Sequence, residues 1–217
     1  MSACSAARTV SRQATRSDLH RPRCRLFAEL TIPSQASCSQ AASIDQESPS
    51  VVKIFGRLGL EFEIAVRIGS DVPVAGAAFN AETIAPHIDG VCAAIELVDD
   101  RDADYTRLDV LSLVADNSWN AGIVLSEFAG KWPDPGGVRG HATRDRASIG
   151  EGHGRDILGH PFNSVAWLAS QLASRGIGLK AGEIVMTGSV MKTVFPTEDA
   201  HYRFDLDKIG FVEVQVR

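Results

Sequence analysis

The chain has 217 residues, enough for one domain with a sizeable core or for one domain plus a tail. Its hydrophobic fraction of 44% and charged fraction of 23% are those of an ordinary soluble globular protein. A net charge of −5 offers no general attraction to nucleic acid or to acidic membrane surfaces, and no apolar run approaches the ~20 residues of a membrane span.

Residues 1–49 read differently from the rest. The first 30 carry Arg8, Arg12, Arg16, Arg21, Arg23 and Arg25 against only Asp18 and Glu29, and the next 20 are rich in Ser, Gln and Ala without an apolar period. Such a segment cannot bury enough surface to offset its ordering entropy, so a disordered or loosely attached N-terminal segment is expected. An Arg- and Ser-rich, acid-poor start also resembles an organelle transit peptide, although a misplaced start or a poorly ordered tail weighs more heavily. Cys4, Cys24, Cys38 and Cys92 show no CxxC spacing and no His at zinc-finger distance. Nothing argues for an oxidising compartment, and a cytoplasmic location is expected. Cys92, inside an apolar run, reads as a small core residue.

From residue 50 to 217 the pattern is regular. Val51–Phe55 and Leu60–Ile68 read as strands, the second alternating Glu61, Glu63, Ala65 and Arg67 against apolar neighbours. Ala81–Ile88 suits a short helix, and Val91–Val98 is an apolar run closed by Asp99, Asp100 and Arg101. Val110–Ala115 has the length of a buried strand or short core segment, and Ala121–Leu125 is a further apolar patch. Gly130–Gly154 reads as a loop with short strands. Pro161–Arg175 is the clearest helix: Val165, Leu168, Ala169 and Leu172 recur at helical spacing, with Pro161 near the start and Gly176 just past the end. Leu179–Glu183 turns into strand Ile184–Thr187, which Gly188 is expected to break, and Tyr202–Leu206 and Phe211–Val216 close the chain as strands. Strands outnumber helices and no βαβ rhythm is present, which predicts a mostly-β (α+β) fold with one principal helix.

Chemistry concentrates in three carboxylates. Glu61 and Glu63 stand two apart on a strand, so both point to one face roughly 7 Å apart. Side by side they repel by ~2 kcal/mol at an effective dielectric near 20, which a divalent cation, an arginine or solvent would relieve. Alone, the pair is better read as a solvated strand face, which often alternates Glu with hydrophobics. Glu96 interrupts the apolar run Val91–Val98, where an unpaired charge is costly. With Glu61 and Glu63 it would supply three oxygen ligands suited to Mg²⁺ or Mn²⁺. The alternative is a structural ion pair with Arg101 or Arg67, and the residues alone do not choose.

At LGLEFEIAVRI, AAIELVDDR, LVADN, LGHPFNSVAWLASQLASRGIGLKAGEIVMTGS and FDLDKIGFVEVQV the chain resembles the fumarylacetoacetate hydrolase superfamily, and within it the 2-keto-4-pentenoate hydratase / oxalocrotonate decarboxylase branch. The resemblance runs in order from about residue 50 to the end. It implies a mixed β-roll in which Glu61, Glu63 and Glu96 hold Mg²⁺ or Mn²⁺, and a small 2-oxo acid that chelates the metal, which stabilises an enolate. It further implies a pocket lined by Thr187, Gly188 and Ser189, with Asn117 of the ADN element either orienting substrate or capping a turn. His160, which opens the principal helix, and Lys192, close behind the TGS segment, are the candidates for proton transfer. Their plainer readings are a helix-entry residue and a surface lysine.

The implied activity is that of a hydratase, a metal-dependent hydro-lyase of 2-oxo-alkenoic acids such as 2-hydroxypenta-2,4-dienoate in aromatic meta-cleavage catabolism. An oxalocrotonate-type decarboxylase would use nearly the same residues. An acylpyruvate hydrolase of the same fold needs a His–Glu pair on the N-terminal side of the metal, and residues 21–86 contain no His. Relatives in this branch carry a glycine-flanked lysine before the paired glutamates, which this sequence does not show. The general base is therefore left open, and a catalytically impaired binding or assembly subunit is a reading of another class. The resemblance implies a homo-oligomer, and association with a related hydratase or decarboxylase is consistent with it.

Overall fold

The computed structural model describes residues 8–11, 27–31, 55–74 and 78–217. Within the first 49 residues these are two short strands, β1 (Arg8–Ser11) and β2 (Phe27–Thr31). The expected disorder of the remainder lies outside the described residues, as does the expected strand Val51–Phe55 apart from Phe55, which stands in a bend.

Among the described residues, ten strands form two antiparallel sheets. The first joins β1 and β2 to β3 (Leu58–Ile68), β4 (Ile88–Asp99), β5 (Asn120–Leu125) and β8 (Ile184–Ser189), in the order β1-β2-β8-β3-β4-β5. The second contains β6 (Arg139–Arg144), β7 (Ala147–His153), β9 (Ala200–Leu206) and β10 (Gly210–Val216), in the order β10-β9-β6-β7. Leu60, Phe62, Ile64 and Val66 project from one face of β3 into the main core, where Phe62 meets Phe204 of the second sheet with ring centroids 5.6 Å apart. The expected mostly-β architecture is what the chain adopts.

Three α-helices are described: α1 (Ala81–Ile84), α2 (Val110–Ala115) and α3 (Pro161–Ala173). The principal helix α3 starts at Pro161, whose fixed φ and missing N–H suit a first turn, and buries Val165, Leu168, Ala169 and Leu172. The segment Val110–Ala115 corrects the expectation of a buried strand or core segment. Asp109 accepts from the Ser112 amide at 2.9 Å and from its hydroxyl at 2.8 Å, which starts a helix that leaves Leu111 80% exposed.

Gly188 also departs from expectation, because β8 runs through it to Ser189. Along β3 the register passes from Glu63↔Ser189 to Ala65↔Met186, so β8 carries one extra residue between those pairs. Gly188 occupies that bulge at φ +109, a conformation side-chain-bearing residues rarely adopt. The bulge absorbs the irregularity without ending the strand.

Candidate metal centre

β3 and β4 are long, regular neighbours, and their register decides the site. Glu61 faces Glu96 directly across the pair, and Glu63 follows two residues along on the same face. One oxygen from each of the three carboxylates lies within 4.8 Å of the others, and all three side chains are buried. Arg67 and Arg101, the alternative partners for Glu96, bond instead to Asp89 and Asp116.

Each carboxylate is held by a donor from a different element. Gly188 donates its amide to Glu63 Oε2 at 2.8 Å, the bulge on β8 having aimed that N–H at the side chain. Thr193 donates its hydroxyl to Glu61 Oε1. Paired backbone bonds between Leu60 and Val194, 2.8 and 3.0 Å, bring the segment carrying Thr193 alongside β3. Gly59 leaves room for it, since a Cβ there would stand 2.9 Å from Thr193 Cγ2. Asn120 donates Nδ2 to Glu96 Oε1 at 2.9 Å. Sequence reasoning missed Thr193, Asn120 and Gly59. No local pattern marks them, because their roles arise from register and from an approach across 132 residues.

Burial pushes the Glu63 carboxyl well above the ordinary range, and the neighbouring Glu96 and Glu61 push it further, against the Gly188 amide. A converging set of hard oxygen donors that repel one another when ionised fits a divalent cation such as Mg²⁺ or Mn²⁺, which reverses that repulsion. Beyond the glutamates the same face turns apolar, with Ala65, Cys92, Ala94, Ile184 and Met186 packed together. The reading of Cys92 as a small core residue agrees with that placement.

The other candidate residues fall at different distances from this chemistry. The Thr187 hydroxyl donates to the Ile64 carbonyl at 2.7 Å, and the Thr187 carbonyl accepts from Ser164 of α3 at 2.7 Å. The Ser189 hydroxyl accepts from the Phe62 amide at 3.1 Å and lies 3.2 Å from the Phe62 carbonyl. Both hydroxyls thus tie β8 to the strand that carries Glu61 and Glu63. Asn117 opens a turn in which it, Ser118 and Trp119 all take left-handed φ values of 50, 51 and 67. His160 is the N-cap of α3: its Nδ1 accepts from the Phe162 amide at 3.0 Å, and its Nε2 lies 2.9 Å from Asp134 Oδ1. Both ring nitrogens are therefore engaged, one in the helix cap and the other with Asp134. Lys192 is exposed and adjoins Thr193.

A fold of two antiparallel sheets with a three-glutamate centre defines a class, and comparison with known proteins supplies its name. The chain belongs to the fumarylacetoacetate hydrolase family: the family model described as fumarylacetoacetate (FAA) hydrolase C-terminal matches residues 28–217. It is 28% identical over 160 residues to a 2-hydroxyhexa-2,4-dienoate hydratase from Comamonas testosteroni, covering 71% of this chain and 58% of that protein. It is 31% identical over 137 residues to a 4-oxalocrotonate decarboxylase from Pseudomonas putida, covering 62% of this chain and 51% of that protein. The chain thus spans between half and three fifths of these two curated relatives. Among solved structures it is similar to 4-oxalocrotonate decarboxylase from Pseudomonas putida G7 complexed with magnesium and adipate. That match has a TM-score of 0.69 and 26% identity, over 75% of this chain and 61% of that one.

Proposed function

We propose that Glu61, Glu63 and Glu96 hold Mg²⁺ or Mn²⁺ and that the chain is a metal-dependent hydro-lyase, hydrating a small 2-oxo-alkenoic acid such as 2-hydroxypenta-2,4-dienoate in aromatic catabolism. The convergence of three buried carboxylates within 4.8 Å carries this reading. The relatives named as a hydratase of a dienoate and as a decarboxylase solved with magnesium support it. When bound, the cation supplies Lewis acidity at the 2-oxo group. The chain's own contribution is to hold the ligands in place: Gly188 donates to Glu63 and Thr193 to Glu61. Thr187, Gly188, Ser189 and Asn117 are the proposed lining for the acid, the hydroxyls of Thr187 and Ser189 also tying β8 to β3. Lys192, exposed beside Thr193, is the better placed candidate for moving a proton, since Nδ1 of His160 caps the helix and its Nε2 pairs with Asp134. The proposed setting is a cytoplasmic homo-oligomer.

One observation favours a second reading. With His160 committed to the cap, Lys192 is the one remaining candidate for proton transfer, so a subunit that binds metal and 2-oxo acid without turnover, associated with a related hydratase or decarboxylase, is also consistent. A spectrophotometric assay with 2-hydroxypenta-2,4-dienoate and Mn²⁺ separates these. Loss of the dienol absorbance supports the hydratase. CO₂ release from an oxalocrotonate-type acid supports the decarboxylase. Calorimetric binding of pyruvate and Mn²⁺ without turnover supports the binding subunit. If Glu61→Ala binds Mn²⁺ as tightly as the parent chain, the three-glutamate centre is wrong.

A further inference from the structure

On the edge of the glutamate face opposite β8, the chain does something costly. Asn117, Ser118 and Trp119 stand consecutively in the left-handed region, and none is glycine. Side-chain-bearing residues adopt this conformation uncommonly, Asn more readily than Ser or Trp, and a run of three persists only where its surroundings over-determine it. Trp119 supplies that determination: it is buried with Val98 and Leu113 and meets the Tyr105 ring edge-on at 5.5 Å.

The strained turn delivers β5 to β4 in a shifted register. Ala94↔Leu125, Glu96↔Ile123 and Leu97↔Gly122 follow one register, but Val98 faces Asn120 rather than Ala121. Ala121 is therefore an extra residue on β5. Residues directly opposite one another share a face, and a slip of one residue turns a side chain to the other face. In the unshifted register Asn120 would face Asp99 and point away from the glutamates. The bulge places it opposite Val98, on the face of Glu96, where its Nδ2 donates to Glu96 Oε1 at 2.9 Å. The arrangement mirrors the other edge, where the bulge on β8 aims the Gly188 amide at Glu63.

We infer that Asn120 is a positioning residue of the metal centre: through the strained turn and the Ala121 bulge, its amide fixes the Glu96 carboxylate where it converges with Glu61 and Glu63. This rests on the proposed metal centre, with Glu96 as a ligand. An outer partner of this kind typically governs metal affinity by about 10–100-fold. Its donor is a side-chain amide, which carries no charge and so leaves the ligand's full negative charge to the metal.

The test is Mn²⁺ affinity, followed by calorimetry and by the electron paramagnetic resonance of free Mn²⁺, in the full chain and in three variants. Asn120→Ala and Asn120→Leu both remove the donor, the second keeping the volume, so that either serves if the other does not fold. Asn120→Gln retains an amide. The expected result is Mn²⁺ binding weakened about 10–100-fold in Ala or Leu, partial recovery in Gln, and no comparable change in the urea midpoint of the metal-free protein. Affinity within twofold of the parent in a folded Ala or Leu variant overturns the inference while leaving the metal centre standing. A parent chain that binds no Mn²⁺ overturns both.

Discussion

Two buried carboxylates in this molecule meet opposite fates. Asp100 is 1% exposed and Glu63 is 2% exposed, so burial alone does not distinguish them. Burial pushes Asp100 up, but the Arg57 guanidinium and the Tyr105 hydroxyl outweigh it and hold the carboxyl below its usual range. Asp100 accepts Arg57 Nε at 2.8 and 2.9 Å, Tyr105 Oη at 2.8 Å and the Asp102 amide at 3.1 Å. Around Glu63 the charged neighbours carry the same sign, and burial, Glu96 and Glu61 all push its carboxyl upward. Asp100 carries its countercharge within the chain. The carboxylates that shift Glu63 carry its own sign, and the divalent cation proposed above would offset them. That contrast, rather than burial, separates the carboxylate paired within the fold from the one proposed to serve a site.

The largest effect should come from the glutamates themselves. Glu63→Gln removes a charged ligand and should weaken Mn²⁺ binding by more than about 100-fold, beyond what loss of an outer partner does. The metal-free variant should be at least as stable as the parent, because a repulsive charge has been removed. Calorimetry and urea unfolding measure the two halves, and a destabilised Gln variant would make Glu63 resemble Asp100. Arg57→Ala should do the reverse. It leaves Asp100 buried without its cation, which should cost about 2 kcal/mol in urea unfolding, Arg57 being itself partly exposed to solvent, with Mn²⁺ affinity unchanged.

pH should split the two regions by sign. Asp100 has a lowered folded pKa, so its contribution is present above the ordinary carboxylate range and is lost as pH falls through the folded value. Glu63 has a raised folded pKa, so the metal-free native state binds more protons than the unfolded chain above the ordinary range. In that window stability should fall as pH rises through the raised value, and Mn²⁺ should restore it. Unfolding midpoints across pH, with and without Mn²⁺, measure this, and Glu63→Gln should abolish the Mn²⁺-dependent part. The smallest effect belongs to His160→Ala, which removes a helix cap and should cost about 1 kcal/mol without altering Mn²⁺ affinity. A fall in turnover with unchanged stability would return His160 to the chemistry.

Much was legible in the sequence. Period-two alternation located β3, the 3.6-residue period located α3, and the interrupted apolar run singled out Glu96. Val110–Ala115 misled because a six-residue apolar run has no distinctive period, and the deciding signal was the capping Asp109 just before it. Gly188 misled because glycine marks a bulge as readily as a break, and a bulge exists only against a partner strand.

What the sequence by itself determined was which residues are awkward: two glutamates on one strand face and a third inside an apolar run, each a local pattern set by side-chain chemistry. That these three converge was implied by the family resemblance and not by the residues themselves; their geometry, and which groups steady them, were decided by tertiary structure. The pairing Glu61↔Glu96 depends on the register of two strands, Thr193 reaches Glu61 across 132 residues, and Asn120 reaches its face only through a one-residue slip. Register is a property of pairs of strands, and a single residue of offset turns a side chain from one face to the other, so it cannot be read from either strand alone.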